Sequence, residues 1–338
     1  MESSKDRRII RRNALSALAA TPLLAACGKS ASPKDSSASA SAPASNAPLA
    51  GDDDTLPAAS AALRPLGKTG LMVEPVSLGG EGILRSTGRF KEAVAVVIEA
   101  LRLGVRYCDT APAYQQSQDY YGQAFQILGK SARDRVIMAS KTHERDYDGA
   151  LRLLDDTLKR IGTDHLDIWQ MHDLRTQEDL DEIFSKNGAI AAAEKAKADG
   201  RVRFIGLTGH HDPAILVEAM RRYPFDTVLC AINPSDPRRL PFITSVVAEA
   251  RKRQVGIVGM KVLSAGRLVK EKAATSEELI RYASSFADTL IIGCSSIREV
   301  RENLQIGRTF APMPEDARLA LEARIASTAD RYDYYKAG

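Results

Sequence analysis

The sequence predicts an α/β protein in which eight strand–helix units close into a (β/α)8 TIM barrel. Three observations predict it. Short apolar, β-branched runs alternate with amphipathic segments eight times between residues 73 and 307, and the connections are short. The runs are apolar throughout, as is typical of parallel strands that are covered on both faces. Eight such units within the length of one domain indicate a barrel.

The elements follow one another regularly along the chain. The predicted strands are 73–80, 105–110, 135–141, 166–172, 201–209, 226–233, 255–261 and 288–295. The helices that follow them are 90–104, 117–129, 147–162, 188–200, 212–223, 241–254, 276–287 and 297–307. A doubly wound open sheet is disfavoured because "LGGEGILRSTG", after the first strand, lacks the GxGxxG spacing of that fold. The C-terminal segment 314–338 predicts an additional helix with a polar tail.

The N-terminus has the pattern of an export signal. Residues 1–26 join a basic segment to the short apolar stretch "ALSALAATPLLAA", which ends directly before Cys27. This segment resembles a bacterial lipoprotein signal, in which the cysteine receives the lipid. The pair Arg11-Arg12 resembles a twin-arginine signal, which would suit a protein exported already folded around a cofactor. We therefore expect a lipoprotein of the periplasm or cell envelope.

Residues 27–62 are rich in Ser, Ala and Pro, and they predict a flexible tether between the lipid anchor and the barrel domain, residues 63–338. A lipid group of several chains would hold such a protein stably at a membrane. We expect the chain to act as a monomer.

Charge and cysteine content exclude other classes. The formal net charge is +4, and residues 1–26 carry five basic and two acidic residues, so the remainder of the chain, residues 27–338, has a net charge of only +1 and is nearly neutral. A nucleic-acid partner is not expected, because the domain has no cluster of basic residues. Cys108, Cys230 and Cys294 lie in apolar runs without CxxC spacing, which predicts buried thiols rather than disulfides or a zinc site.

Ionisable residues follow the predicted strands at the end where barrel enzymes place their active sites. Asp109 ends the second strand and Tyr114 lies in the next loop, while Lys141 and His172 end the third and fourth strands. Each residue alone has an ordinary structural interpretation, such as a helix cap or a surface contact. Together at one barrel mouth they indicate a catalytic site.

These four residue types suit the reduction of a carbonyl group. Hydride attack builds negative charge on the carbonyl oxygen, which an acid must neutralise. We expect Tyr114 to be that acid, Lys141 to lower its pKa and Asp109 to hold the lysine. His172 would orient the substrate oxygen. We also expect His210 to contact substrate.

The chain resembles the aldo-keto reductases. The similar stretches, in the family's order, are "RPLGKTGLMVEPVSLGG", "DTAPAY", "SKT", "LKRIGTDHLDIWQMH", "RFIGLTGH" and "IIGCSSIREVRENL". The resemblance implies a nicotinamide cofactor, an aldehyde, ketone or alcohol substrate, and the four catalytic residues named above. It also implies cofactor contacts near the last strands, here Thr208, Lys261, Gly293, Ser295, Arg298, Glu302 and Asn303.

Some positions differ from the family's pattern. Thr208-Gly209 replaces a Ser-Asn pair, Leu229 replaces a common Gln, and an aromatic residue is missing near Lys261. At the position that usually binds the 2′-phosphate of NADP stands Glu299, next to Arg298. We favour NADP(H) on account of Arg298, with NAD(H) as the alternative.

Two other functions are alternatives for a barrel of this kind. A metal-dependent hydrolase on a barrel would need an HxH pair after the first strand and an Asp after the eighth, but these strands end in "GGEG" and "GCSS". No metal ligands are assigned. The other alternative is a non-catalytic, membrane-tethered binding protein on a reductase-like barrel.

Overall fold

Eight parallel strands close into a barrel in the computed structural model, which describes residues 63–309 and 311–336. The strands stand in chain order around the barrel, and the last pairs with the first. They are β3 (Val76–Gly82), β4 (Tyr107–Asp109), β5 (Ile137–Thr142), β6 (Leu166–Met171), β7 (Val202–Gly209), β8 (Thr227–Ala231), β9 (Gly256–Met260) and β10 (Thr289–Cys294). The predicted fold class is confirmed.

Helices surround the barrel. They are α1 (Phe90–Arg102), α2 (Ser117–Leu128), α3 (Lys130–Asp134), α4 (Tyr147–Ile161), α5 (Gln177–Ile183), α6 (Ala189–Ala198), α7 (Pro213–Arg222), α8 (Ala248–Arg253), α9 (Arg267–Lys270), α10 (Ser276–Ser284), α11 (Ile297–Arg308) and α12 (Glu315–Ile325). Side-chain caps fix several helix starts, because an unpaired backbone N–H at a helix start needs an acceptor. The Asp146 carboxylate accepts from Gly149 N before α4, and the Ser296 hydroxyl accepts from Glu299 N before α11.

The first barrel strand begins later than the sequence predicted. Residues 73–80 were expected as one strand, but Val73 belongs to a separate antiparallel hairpin of β1 (Arg64–Pro65) and β2 (Met72–Val73). The strand is interrupted at Pro75, which has no N–H to donate to a neighbouring strand. Leu66 and Val73, from this hairpin, belong to the same buried cluster as the side chains inside the barrel.

Two layers of apolar side chains form the core. The inner cluster contains Ala139, Ile168, Leu229 and Val258 from the barrel strands. The larger cluster contains side chains from strands and helices together, and it includes the fully buried Trp169. This double coverage explains why the strands are apolar on both faces.

Several connections differ from a plain barrel. The segment after β6 contains α5, which begins with a reciprocal cap between Thr176 and Asp179. The predicted C-terminal helix is present as α12. A short 3-10 helix, Ala326–Arg331, follows it and leads into the C-terminal tail.

Cys108, Cys230 and Cys294 are free and buried, as predicted. The predicted export signal, the lipidation site Cys27 and the tether lie outside the described residues. Within the part of the chain that is described, no helix combines the length and the apolar character needed to cross a membrane.

Candidate active site

A cavity of about 1150 Å³ opens at the carboxyl ends of the barrel strands. Asp109, Tyr114 and His172 are among the residues that line it. Lys141 is fully buried, next to Asp109. The structure therefore brings the four predicted catalytic residues together at the barrel mouth.

Asp109 and Lys141 form a buried ion pair between neighbouring strands. Lys141 Nζ donates to Asp109 Oδ2 at 2.6 Å and to Thr110 O at 2.8 Å. Burial lowers the pKa of the Lys141 ammonium and raises the pKa of Asp109, while the attraction between the two opposes both shifts. Each charge is tolerated in the interior because the other lies beside it.

A tight turn after β4 places Tyr114 beside this pair. Tyr114 N donates to Ala111 O at 3.0 Å, and Ser117 N donates to Tyr114 O at 2.9 Å. Lys141 Nζ lies 4.7 Å from the centre of the Tyr114 ring. The His172 ring meets the same ring edge-on, with 5.7 Å between centroids.

Gly80, in β3, leaves the space that the Tyr114 ring fills. A Cβ at Gly80 would lie 2.6 Å from Tyr114 Cδ2 and 2.8 Å from Asp109 O. Both distances are shorter than van der Waals contact, so any side chain at residue 80 would displace the phenol or the end of β4.

The pKa of Tyr114 moves in the direction opposite to the one we expected. Burial raises the pKa of this phenol well above its usual value, and the carboxylates of Asp109 and Glu81 raise it further. The ammonium of Lys141 does not reverse this effect, since Asp109 balances its charge at 2.6 Å. In the protein alone the phenol is therefore protonated at neutral pH, which is the form that a proton donor requires.

His172 faces the cavity as a neutral imidazole. Burial lowers the pKa of this histidine well below its usual value, and the positive charges of Lys141 and Arg145 lower it further. Two hydrogen bonds hold the backbone of this residue. His172 N donates to Thr142 O at 2.9 Å, and the Arg145 guanidinium donates to His172 O at 2.9 Å. A neutral ring in this place can exchange a hydrogen bond with a substrate oxygen.

Most of the predicted cofactor residues line the same cavity, namely Thr208, Lys261, Gly293, Ser295, Glu302 and Asn303. Arg298 is not among the lining residues; its side chain is 81% exposed and lies 3.9 Å from Glu302. Glu299, by contrast, lines the cavity and accepts a hydrogen bond from Ser295 N at 2.8 Å. Asn303 is buried, and its amide donates to Cys294 Sγ at 3.5 Å.

Backbone features on this side of the cavity fit an elongated, anionic cofactor. A Cβ at Gly293 would lie 2.7 Å from the Glu81 carbonyl carbon, so this part of the wall has to remain free of a side chain. In the loop after β9, Lys261, Ser264, Ala265 and Gly266 have positive φ angles. Left-handed turns of this kind orient successive N–H groups, which favours the binding of phosphate.

A second cluster of polar side chains lies next to His172. Asp173 follows β6, and His210 and His211 follow the neighbouring β7. Asp173 Oδ1 lies 3.4 Å from His210 Nε2 and 3.9 Å from His211 Nε2. His210 was predicted from the sequence as a substrate contact. Asp173 was not predicted, although its position directly after His172 was a usable signal.

The C-terminal tail also reaches the cavity. Tyr334 and Tyr335 line it. Tyr335 Oη accepts a hydrogen bond from Asn233 Nδ2 at 2.8 Å. The next residue, Lys336, is buried and donates to Asp236 Oδ1 at 2.9 Å, so this ion pair fixes the tail against the barrel.

Comparisons with known proteins give a matching family model and several relatives. The model of the Aldo/keto reductase family matches residues 76–278. L-galactose dehydrogenase of Arabidopsis thaliana is 28% identical over 285 residues, which are 72% of this chain and 86% of the relative.

Two solved structures are similar in fold. An aldo-keto reductase from Bacillus halodurans, in its holo form, superposes with a TM-score of 0.65 at 22% identity, over 78% of this chain and 96% of that one. An aldo/keto reductase from Klebsiella pneumoniae, in complex with NADP and acetate, gives a TM-score of 0.63 at 19% identity, over 78% and 95% of the two chains.

Proposed function

This chain belongs to the aldo/keto reductase family, and from this premise we propose that Tyr114 donates the proton when the enzyme reduces an aldehyde or ketone to an alcohol. The reverse reaction would use the same group as the proton acceptor. The protein is an oxidoreductase of the kind that transfers hydride from a nicotinamide cofactor.

The observation that supports this assignment most strongly is the position of Tyr114 beside the buried ion pair of Asp109 and Lys141. The phenol lies at the cavity wall, with the Lys141 ammonium 4.7 Å from the centre of its ring and the His172 ring at its edge. Burying such an ammonium costs several kcal/mol before pairing offsets it. A protein that only bound a ligand would not need to place this charge beside a protonated phenol.

The cofactor would lie against the residues at the ends of β9 and β10 that line the cavity. The left-handed loop from Lys261 to Gly266 would contact phosphate groups, and Asn303 and Glu302 would lie near the adenine. When bound, the nicotinamide cofactor supplies the hydride that reduces the carbonyl carbon.

The side chains of this protein handle the proton and the substrate oxygen. His172, neutral because of its depressed pKa, donates a hydrogen bond to the carbonyl oxygen and holds it beside the phenol. Tyr114 transfers its proton to that oxygen as negative charge develops there. The phenolate that remains lies beside the ammonium of Lys141, whose Nζ is 4.7 Å from the centre of the ring and whose position Asp109 fixes.

The preference for NADP(H) over NAD(H) stays a prediction, and it depends on Arg298. The guanidinium is exposed, so it would have to turn towards the cavity to bind a 2′-phosphate. The Glu299 carboxylate already lines the cavity and would repel that phosphate. The balance between these two side chains therefore sets the preference.

We propose that the substrate is a polar carbonyl compound, such as a sugar. The wall around His172 carries His143, Arg145, Arg175 and His210, which offer hydrogen bonds to hydroxyl groups. A relative that is 28% identical bears the name L-galactose dehydrogenase.

We propose that the protein is exported and lipidated at Cys27, because residues 1–27 have the lipoprotein and twin-arginine patterns described above. Labelling of the cells with radioactive palmitate should mark the native chain and not the Cys27→Ser variant. A chain that stays unlabelled and in the cytoplasmic fraction would contradict the proposal. Sedimentation of the purified protein would check the predicted monomer.

The reductase assignment itself is tested by cofactor binding and turnover. The purified full chain should enhance the fluorescence of NADPH or NADH, and it should oxidise one of them in a screen of aldehydes, ketones and aldoses. If neither cofactor binds at millimolar concentration, the assignment fails.

A further inference from the structure

We propose that Asp173, His210 and His211 bind a divalent transition-metal ion, of the class of Zn²⁺ or Co²⁺, at the barrel mouth. The three side chains each offer one ligand atom, and these atoms all lie within 4.8 Å of one another. Two imidazoles and one carboxylate are a ligand set that suits such ions.

The separations are close to those of a metal site. Bonds of about 2.1 Å at tetrahedral angles place ligand atoms about 3.4 Å apart. Asp173 Oδ1 lies 3.4 Å from His210 Nε2 and 3.9 Å from His211 Nε2, and the ligand atoms of the two imidazoles lie within 4.8 Å of each other. One of the three pairs therefore already has this spacing, and the others need a closure. Asp173 Oδ1 and His211 Nε2 are buried atoms without a hydrogen-bond partner among the described residues, and a metal ion would satisfy both.

Hydrogen bonds to the other polar atoms of His210 and Asp173 orient the proposed ligand atoms towards one another. His210 Nδ1 lies 3.4 Å from Tyr335 O, an acceptor that fixes the proton on Nδ1 and leaves the Nε2 lone pair for a metal. Arg175 Nε and NH2 bind the other carboxylate oxygen, Asp173 Oδ2. Ligands in metal sites are commonly held by such second hydrogen bonds.

The backbone at Asp173 is also unusual. Its φ is +54°, a left-handed conformation that is uncommon for residues other than glycine. Arg145 holds this conformation, because its guanidinium donates to His172 O at 2.9 Å and to Asp173 O at 3.3 Å. Conformations of this kind concentrate at functional sites, and here it turns the carboxylate towards the two histidines.

Nearby positive charges limit the affinity. The guanidinium of Arg175 neutralises the Asp173 carboxylate, and Lys261 is close enough to lower the pKa of both histidines. We therefore expect weaker binding than the same three ligands would give without these cations. Since all three residues line the cavity, a coordination position left open by three protein ligands would be accessible to water or to a substrate oxygen.

Metal titration of the full chain, without a histidine tag and freed of metal by a chelator, tests the proposal. Added Co²⁺ should produce the visible absorption of a cobalt–imidazole complex, saturating at one ion per chain, and Zn²⁺ should displace it. His211→Ala and Asp173→Asn should each weaken the binding about 10-fold or more. His165→Ala should leave it unchanged, because His165 precedes β6 at the opposite end of the barrel.

Absence of saturable Co²⁺ binding would overturn the proposal, as would binding of undiminished affinity in His211→Ala, which would place the ion elsewhere on the chain. Circular dichroism of each variant shows that it has folded. If Asp173→Asn fails to fold, His211→Ala alone decides, because that side chain is 24% exposed and its only ion-pair contact within residues 63–309 and 311–336 is to Asp173 at 3.9 Å. These readouts do not involve turnover, so their failure leaves the proposed reductase activity untouched.

Discussion

Lys141 Nζ lies 2.6 Å from Asp109 Oδ2, and both side chains are completely buried beside the phenol of Tyr114. The pair joins the ends of two neighbouring strands, so it fixes the barrel mouth as well as the charge near the phenol. Its two roles, in stability and in proton transfer, lead to separate predictions.

Breaking the pair should destabilise the protein. We expect Asp109→Asn or Lys141→Met to lower the free energy of unfolding by about 3–5 kcal/mol, because each leaves an uncompensated buried charge. The double variant should lose less than the sum of the two. Urea unfolding followed by circular dichroism measures all three, and purely additive losses would show that the two charges are not coupled.

Gly80→Ala should reduce turnover without preventing folding. The added methyl group would meet the Tyr114 ring at 2.6 Å and so push the phenol out of position. We expect kcat to fall about 100-fold, a loss of the size seen when a general acid is misplaced. Steady-state kinetics checks this.

A suitable control is Gly70→Ala, where no atom lies within 4 Å of the new Cβ, although its φ of +76° adds backbone strain. Equal activity of Gly80→Ala and the native enzyme would refute the close contact.

The pH dependence of reduction should reflect the raised pKa of Tyr114. The protonated phenol is the active form in this direction, and it is present at every pH below its pKa. Since burial raises that pKa above the usual value of about 10, kcat should show no decline from this group below about pH 10. A decline in kcat with a midpoint near neutrality, absent from the residual activity of Tyr114→Phe, would contradict the assignment.

Removing the charge of Glu299 should shift the enzyme towards NADPH. In Glu299→Gln an amide oxygen can still accept from Ser295 N, but the repulsion of a 2′-phosphate is gone. We expect the ratio of kcat/KM for NADPH to that for NADH to rise about 5-fold, which corresponds to about 1 kcal/mol for a partly exposed charge. Arg298→Ala should lower the same ratio, and the exposed Glu92→Gln should leave it unchanged. A ratio unaffected by either substitution would place the phosphate elsewhere.

The barrel was predictable because its signals are local. Apolar runs and amphipathic periods repeat eight times, and the ends of parallel strands necessarily meet at one mouth. That rule alone placed Asp109, Lys141 and His172 together. Pro75 moved the start of the first strand, and the sequence offered that signal as well.

The pKa shifts in the site were harder to predict from the sequence. The sequence suggested that the charge of Lys141 would lower the pKa of Tyr114, but the shift depends on burial and on the 2.6 Å contact that balances the lysine. The left-handed backbone conformation of Asp173 and the position of Tyr335 against Asn233 could not be predicted from the sequence either. Each depends on hydrogen bonds from distant parts of the chain.

The central claim is that the Tyr114 hydroxyl supplies the proton, and turnover by Tyr114→Phe tests it most directly. The substitution removes one oxygen atom, so cofactor binding should stay within about twofold of the native value, while kcat for carbonyl reduction should fall about 100-fold or more. Retention of near-native kcat by a variant that binds the cofactor normally would contradict the account.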